Sequence, residues 1–258
     1  SLIRPAGAKL ETMGGRASGP APLQELMTFT RRKILARQGR RLTTLDLHDI
    51  ICQIGLIVVA GGVRRSALIS LSAPDDYEMR DAKKGAFWQT EGQRSMANNS
   101  AVYEVKPSAE EFLEEWTALV TSHSGERGIF NRGGLEVQLP KRRWESIKNA
   151  KQIGMNPCGE IYLQSKQFCN LTSIVVRPKD TMESLKRKMH LATIVGTYQA
   201  TLTNFEYLSK EWKENCEKEQ LLGVSITGYY DNKIVRDDKN LQILRDDGIK
   251  ANKKYAKR

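Results

Sequence analysis

The chain has 258 residues, 41 Lys and Arg against 30 Asp and Glu, and a formal net charge of +11. With 40% hydrophobic and 28% charged residues, its composition is that of a globular chain and excludes a disordered tail or a membrane-embedded bundle. The longest apolar run, Ile54 to Ala60, is interrupted by Gly55 and falls far short of the ~20 residues of a spanning helix. Arg4, Pro5 and Lys9 leave no apolar stretch for a secretory signal, so a cytoplasmic protein with no membrane partner is expected. The chain starts at Ser1 rather than Met, which reads as a piece of something longer.

Residues 1–20 hold Gly7, Gly14, Gly15, Gly19, Pro5 and Pro20 and predict a loop with special backbone angles. Pro22 opens a helical pattern that runs to about Gln38 and is ended by Gly39. Thr43 or Thr44 caps a second helix to about Ala60, whose apolar residues nearly encircle it and predict an interior position. Alternation predicts strands over 66–71 and 100–105, and a short strand at 128–131. Ser108 with Glu111 is a capping box for a helix to about Ser122. A strand is expected over 171–176, then a long helix over 181–207 capped by Asp180 with Glu183. A polar helix at 210–219, a strand at 221–226 and a last helix from 240 to 255 complete the pattern. Strands alternating with helices predict an α/β architecture with mostly parallel strands, open or closed into a barrel.

Basic charge comes in patches. Residues 31–41 carry six basic and no acidic side chains, 141–151 five and one, and 240–258 six and two. Solvated helix surface is the simplest reading; a nucleic acid, nucleotides or an acidic protein are the others.

The four cysteines, Cys52, Cys158, Cys169 and Cys216, form no C-x-x-C pair and no zinc-spaced set, so no metal site is expected. Cys52 reads as a small buried hydrophobe and Cys216, among glutamates and a lysine, as an exposed helix position. Cys158 differs because Pro157 and Gly159 flank it and force the sulfur onto a loop. If that loop is extended, Asn156, Cys158 and Glu160 project to one side, bringing together an amide, a thiol and a carboxylate. Spacing alone leaves open a functional thiol or a structural loop cysteine. Asn98 and Asn99 read as a polar strand terminus and stay outside the candidate site.

The stretch NPCGEIYLQSKQFCNL, Asn156 to Leu171, resembles the finger loop of ribonucleotide reductases, in particular the adenosylcobalamin-dependent class II enzymes. SLIRPAGAKLETMGGRASGP at 1–20, AGGVRRSALISLS at 60–72, RSMANNSAVYE at 94–104, GERGIFNR at 125–132 and LLGVSITG at 221–228 resemble the same family in the same order. The first segment is most similar to the monomeric ribonucleoside-triphosphate reductase branch. The resemblance implies that residues 1–258 are the central part of a ten-stranded α/β barrel, incomplete in this chain, with a finger loop over 154–170. It implies a thiyl radical at Cys158, a base at Glu160, substrate orientation by Asn156 and electron delivery by Cys169. The cysteine that pairs with Cys169 in the family has no match in Cys52 or Cys216. It implies that Arg4, Lys9, Gly14 and Gly15 belong to a loop that meets a deoxynucleotide effector and the substrate base.

The partners so implied are a ribonucleoside di- or triphosphate, adenosylcobalamin, an external reductant such as thioredoxin, and N- and C-terminal reductase pieces on other chains. The family's Pro-Ser-Gly-Thr phosphate loop and its C-terminal cysteines have no match here. A non-catalytic nucleotide-binding or regulatory fragment and a basic nucleic-acid-binding protein are the competing expectations. Retention of Asn156, Cys158, Glu160 and Cys169 together favours the enzyme.

Overall fold

The computed structural model describes residues 2–11, 15–60, 66–149 and 153–257. Gly14 of the first loop and most of the AGGVRRS segment, residues 61–65, lie outside them. The chain divides into two compact units, Ser1–Tyr162 and Leu163–Arg258.

In the first unit, α1 (Ala21–Ala36) starts behind Pro20, and α2 (Thr44–Ala60) follows a turn at Gly39, whose φ is +78°. Strand β1 (Leu68–Ser72) leads through the short α3 (Tyr77–Arg80) and a 3-10 helix at Gly92–Met96 into β2 (Ala97–Tyr103). The predicted capping box opens α4 (Ala109–Ser122): Glu111 N–H donates to the Ser108 hydroxyl, and Ser108 N–H donates back to the Glu111 carboxylate. Then come β3 (Gly128–Asn131), α5 (Leu135–Gln138), α6 (Lys141–Ile147) and β4 (Ile153–Met155). Strand β2 lies between β1 and β3 and pairs with both in parallel, with Leu68 opposite Ala97 and Ser100 opposite Gly128. Val102, Phe130, Leu135, Leu139, Ile147 and Ile153 form the core on this sheet. Each such fully buried Leu or Ile contributes roughly 1.5–3 kcal/mol relative to exposure.

The unit boundary falls in β5 (Tyr162–Gln164), which pairs with β4. The second unit contains β6 (Asn170–Val175), α7 (Met182–Gln199), α8 (Lys210–Glu219), β7 (Leu222–Thr227) and α9 (Asp238–Tyr255). Strands β6 and β7 pair in parallel, Asn170 opposite Leu222, α7 packs beside them and α9 packs against α7. Ile174, Val176, Leu185, Met189, Val235 and Leu244 form this unit's core.

Three expectations change. Helix α7 ends at Gln199, short of 207, and its capping box is Thr181 with Ser184. Asp180 instead accepts hydrogen bonds from Lys188, Ser184 and the Arg177 N–H. Cys216 is buried, because α8 turns it towards the chain at Phe168. Helix α2 does not bury its apolar residues: Leu47, Ile51, Ile54, Leu56 and Val58 are exposed, whereas Asp46, His48, Asp49, Cys52 and Gln53 are buried. Charge pairing sets that orientation. Asp49 accepts from Lys33 Nζ at 2.6 Å, from Arg94 Nε at 2.6 Å and Nη2 at 2.9 Å, and from Gln93 Nε2 at 3.3 Å. Asp46 accepts from Arg37 Nε at 2.7 Å. Turning the carboxylates outward would strand these cations against the helix. No helix of the described residues is long and apolar enough to cross a membrane.

Candidate active site

Strands β4 and β5 hold residues 156–161 as a tight turn, not the extended segment expected from Pro157 and Gly159. Gly159 N–H donates to the Asn156 carbonyl at 2.9 Å, with Gly159 at φ +78°, a conformation that favours glycine. The turn is closed below by Asn156 N–H to the Ile161 carbonyl and by Ile161 N–H to Asn156 Oδ1, both at 3.2 Å. Asn156 therefore shapes the loop with its Oδ1, while its Nδ2 has no partner among the described residues. Cys158 and Glu160 are exposed on the turn, while Asn156 is half-buried.

The first unit grips this hairpin at its base. Arg132 Nε donates to the Ile153 carbonyl at 2.8 Å, and Arg143 donates to the Tyr162 carbonyl. The Tyr162 ring stacks on Phe130 at 5.8 Å, and its hydroxyl donates to Gln138 Oε1 at 3.0 Å. Higher up, Asn98 Nδ2 of β2 donates to the Pro157 carbonyl at 3.0 Å. The sequence reading keeps Asn98 outside the site, whereas the fold brings it to the turn. The available signal was a polar side chain one residue inside an otherwise buried strand, a pattern that does not name its partner.

Cys169 lies in the second unit, half-buried at the start of β6. The Phe168 N–H donates to Cys216 Sγ at 3.3 Å, so a second sulfur sits one residue along the backbone from Cys169. Phe168 stacks on Trp212 of α8 at 4.7 Å, which fixes this junction. Cys52 is fully buried against His48 Nε2 at 3.5 Å, and burial, with Asp49 nearby, pushes its thiol up to about 11. It is an inert thiol, as its sequence context suggests.

In the first loop, Lys9 bridges Arg16 in an antiparallel pair, Gly7 N–H donates to the Ala17 carbonyl at 2.9 Å, and Ala17 N–H donates to the Ala8 carbonyl at 2.8 Å. Arg16 closes it by donating to the Gly7 carbonyl at 2.9 Å. This arrangement holds Arg4, Lys9 and Gly15 exposed on one compact loop. Farther along, two of the six basic residues of 31–41, Lys33 and Arg37, are tied to Asp49 and Asp46. That patch is therefore partly internal, which weakens the nucleic-acid reading.

A turn that presents a thiol and a carboxylate beside a fixed amide has the groups for hydrogen transfer at sulfur and proton transfer at oxygen. Compared with known proteins, the chain matches no family model. Over about nine tenths of its length it is, however, a relative of ribonucleotide reductases. The matching proteins are adenosylcobalamin-dependent ribonucleoside-triphosphate reductases. That of Lacticaseibacillus paracasei is 34% identical over 233 residues, 89% of this chain, and that of Lactobacillus acidophilus is 34% identical over 243 residues, 90% of this chain. The Euglena gracilis enzyme is 28% identical over 235 residues. The chain spans about 30% of the length of these relatives.

Proposed function

We propose that this chain supplies the radical-bearing loop of an adenosylcobalamin-dependent ribonucleotide reductase and acts in reducing ribonucleotides to 2′-deoxyribonucleotides. The observation that carries the reading is the hairpin turn that holds Asn156, Cys158 and Glu160 together, in a chain related to these reductases along nearly its whole length. In this reading the Cys158 sulfur, as a thiyl radical, takes the 3′ hydrogen atom of the ribose. Glu160 accepts the 3′-hydroxyl proton and Asn156 Nδ2 orients the sugar. The 2′-hydroxyl leaves as water while two thiols, one of them Cys169, are oxidised to a disulfide and supply two electrons. Cys158 then returns the hydrogen atom, and an external dithiol such as thioredoxin reduces the disulfide. The first loop, with Arg4, Lys9 and Gly15, meets a deoxynucleotide effector through its cations and turn glycines. The substrate is a ribonucleoside triphosphate, as in the relatives' names.

Adenosylcobalamin enters this reading through those names. The described residues do not define a site for it. A cavity of about 820 Å³ at the C-terminal ends of β2 and β3 is lined by Val105, Pro107, Phe112 and Ile129. No group of three His, Cys, Asp or Glu among the described residues could hold a metal ion.

The two parallel sheets have edges with backbone groups to pair. The reading is that they are parts of a ten-stranded barrel completed by residues outside these 258, and that these 258 residues alone are inactive. Mixing the chain with candidate N- and C-terminal reductase pieces and following the elution volume tests assembly; a monodisperse 29 kDa species indifferent to them counts against it. In the assembled enzyme, Cys158→Ala abolishes deoxynucleotide formation with assembly intact, and retained turnover sinks the functional reading.

A further inference from the structure

We infer that Asn98 is a positioning residue that sets where the tip of the 156–161 turn, and so the Cys158 sulfur, is held; this rests on the catalytic reading of that turn. The hairpin base is secured by Arg132, Arg143 and the Phe130–Tyr162 stack. At the tip, the side-chain hydrogen bond that arrives from outside the hairpin, among the described residues, is that of Asn98 Nδ2 to the Pro157 carbonyl, at 3.0 Å. Pro157 immediately precedes Cys158 and has no N–H of its own, so its carbonyl is the backbone handle at that position.

An anchor positions only if it is itself fixed, and the backbone on either side of Asn98 is. Lys83 Nζ donates to the Ala97 carbonyl, and the Asn99 N–H donates to Glu126 Oε2 at 2.6 Å. Lys83 and Glu126 are paired at 2.9 Å, so one ion pair brackets Asn98 from both neighbours. These backbone groups precede Ser100, where the β2–β3 register begins, so the ion pair takes over where the neighbouring strand stops. Four residues earlier, Arg94 is anchored on the buried Asp49 carboxylate. On β2, Asn98 and Val102 share a face, and Val102 packs in the core with Ile153 of β4. The strand thus holds the hairpin twice, through apolar contact at its base and an amide at its tip.

The test is amide hydrogen exchange of residues 158–161 in the full chain, for Asn98→Ala and for the isosteric Asn98→Asp, which keeps the shape and removes the donor. Loss of one neutral hydrogen bond predicts exchange at Gly159 and Ile161 faster by about two- to twelvefold. Exchange in β6 and β7 should be unchanged, which reports an intact fold. In the assembled reductase both variants lower kcat while KM stays within about twofold, because the substrate's contacts remain and the sulfur is misplaced. Unchanged exchange in both variants overturns the inference, as does faster exchange with full kcat. Should Asn98→Asp disturb β1–β3 as a whole, Asn98→Ala decides. Full turnover in Cys158→Ala overturns the catalytic reading, whereas a dead Cys158→Ala with fully active Asn98 variants overturns only the role of Asn98.

Discussion

Replacing Asp49 with Asn tests the claim that buried charge, not apolar burial, orients α2. Asp49 is fully buried and accepts from Lys33, Gln93 and both Nε and Nη2 of Arg94, so the substitution leaves Arg94 without its carboxylate and Lys33 with the more distant Glu91 at 3.6 Å. Breaking a buried pair from one side costs about 3–5 kcal/mol. The side chains of Arg94 and Lys33 retain 12% and 16% exposure, so water relieves part of the loss and the lower end, about 3 kcal/mol, is expected. For a unit of this size that lowers the melting temperature by roughly 6–12 °C. The assay is thermal unfolding followed by tryptophan fluorescence in a Trp212→Phe background, which leaves Trp88, Trp116 and Trp144, all in the first unit, as reporters. The pH dependence has a definite sign. Burial pushes the Asp49 carboxyl up, but the bonds and charges of Arg94 and Lys33 outweigh it and hold it below the usual carboxylate range. Its contribution is therefore complete above the unfolded value of about 3.9 and lost as pH falls through the lower folded value. A melting temperature within about 2 °C of the parent at neutral pH would refute the reasoning and place the apolar face of α2 inside.

Thiol labelling gives a second check: Cys158, exposed on its turn, should react with a maleimide in the native chain, while the buried Cys52 and Cys216 should react only on unfolding. Mass mapping of labelled peptides reads this directly, and rapid native labelling of Cys52 would contradict its burial and its thiol at about 11. Asp180 supplies the third. Hydrogen bonds from Lys188, Ser184 and the Arg177 N–H hold its carboxyl at about 2, so Asp180→Asn should destabilise the second unit at neutral pH. That difference should fade as pH falls from about 4 towards 2, and a difference constant across this range in Trp212-monitored melts would show that the network does not act through charge.

The sequence located the longer helices and the strands β1–β3, β6 and β7, because periodicity and caps act over a few residues, but not the short helices α3, α5 and α6 or the hairpin strands β4 and β5. The Ser108–Glu111 box, the turn at Gly39 and α8 at 210–219 were all legible. So were the loop carrying Cys158 and the kinship that its neighbouring motifs declare, since local chain chemistry forces a Pro-Cys-Gly segment out of regular structure. Tertiary structure alone decided which face of α2 is inside, since that depends on Arg94, 45 residues away from Asp49 in the chain. It likewise buried Cys216 beside Phe168 and turned Asn156–Gly159 into a closed turn instead of an extended loop. Asn98 was invisible for the same reason. Its partner, the Pro157 carbonyl, is 59 residues distant, and a hydrogen bond formed by folding leaves no periodic trace in the sequence that makes it.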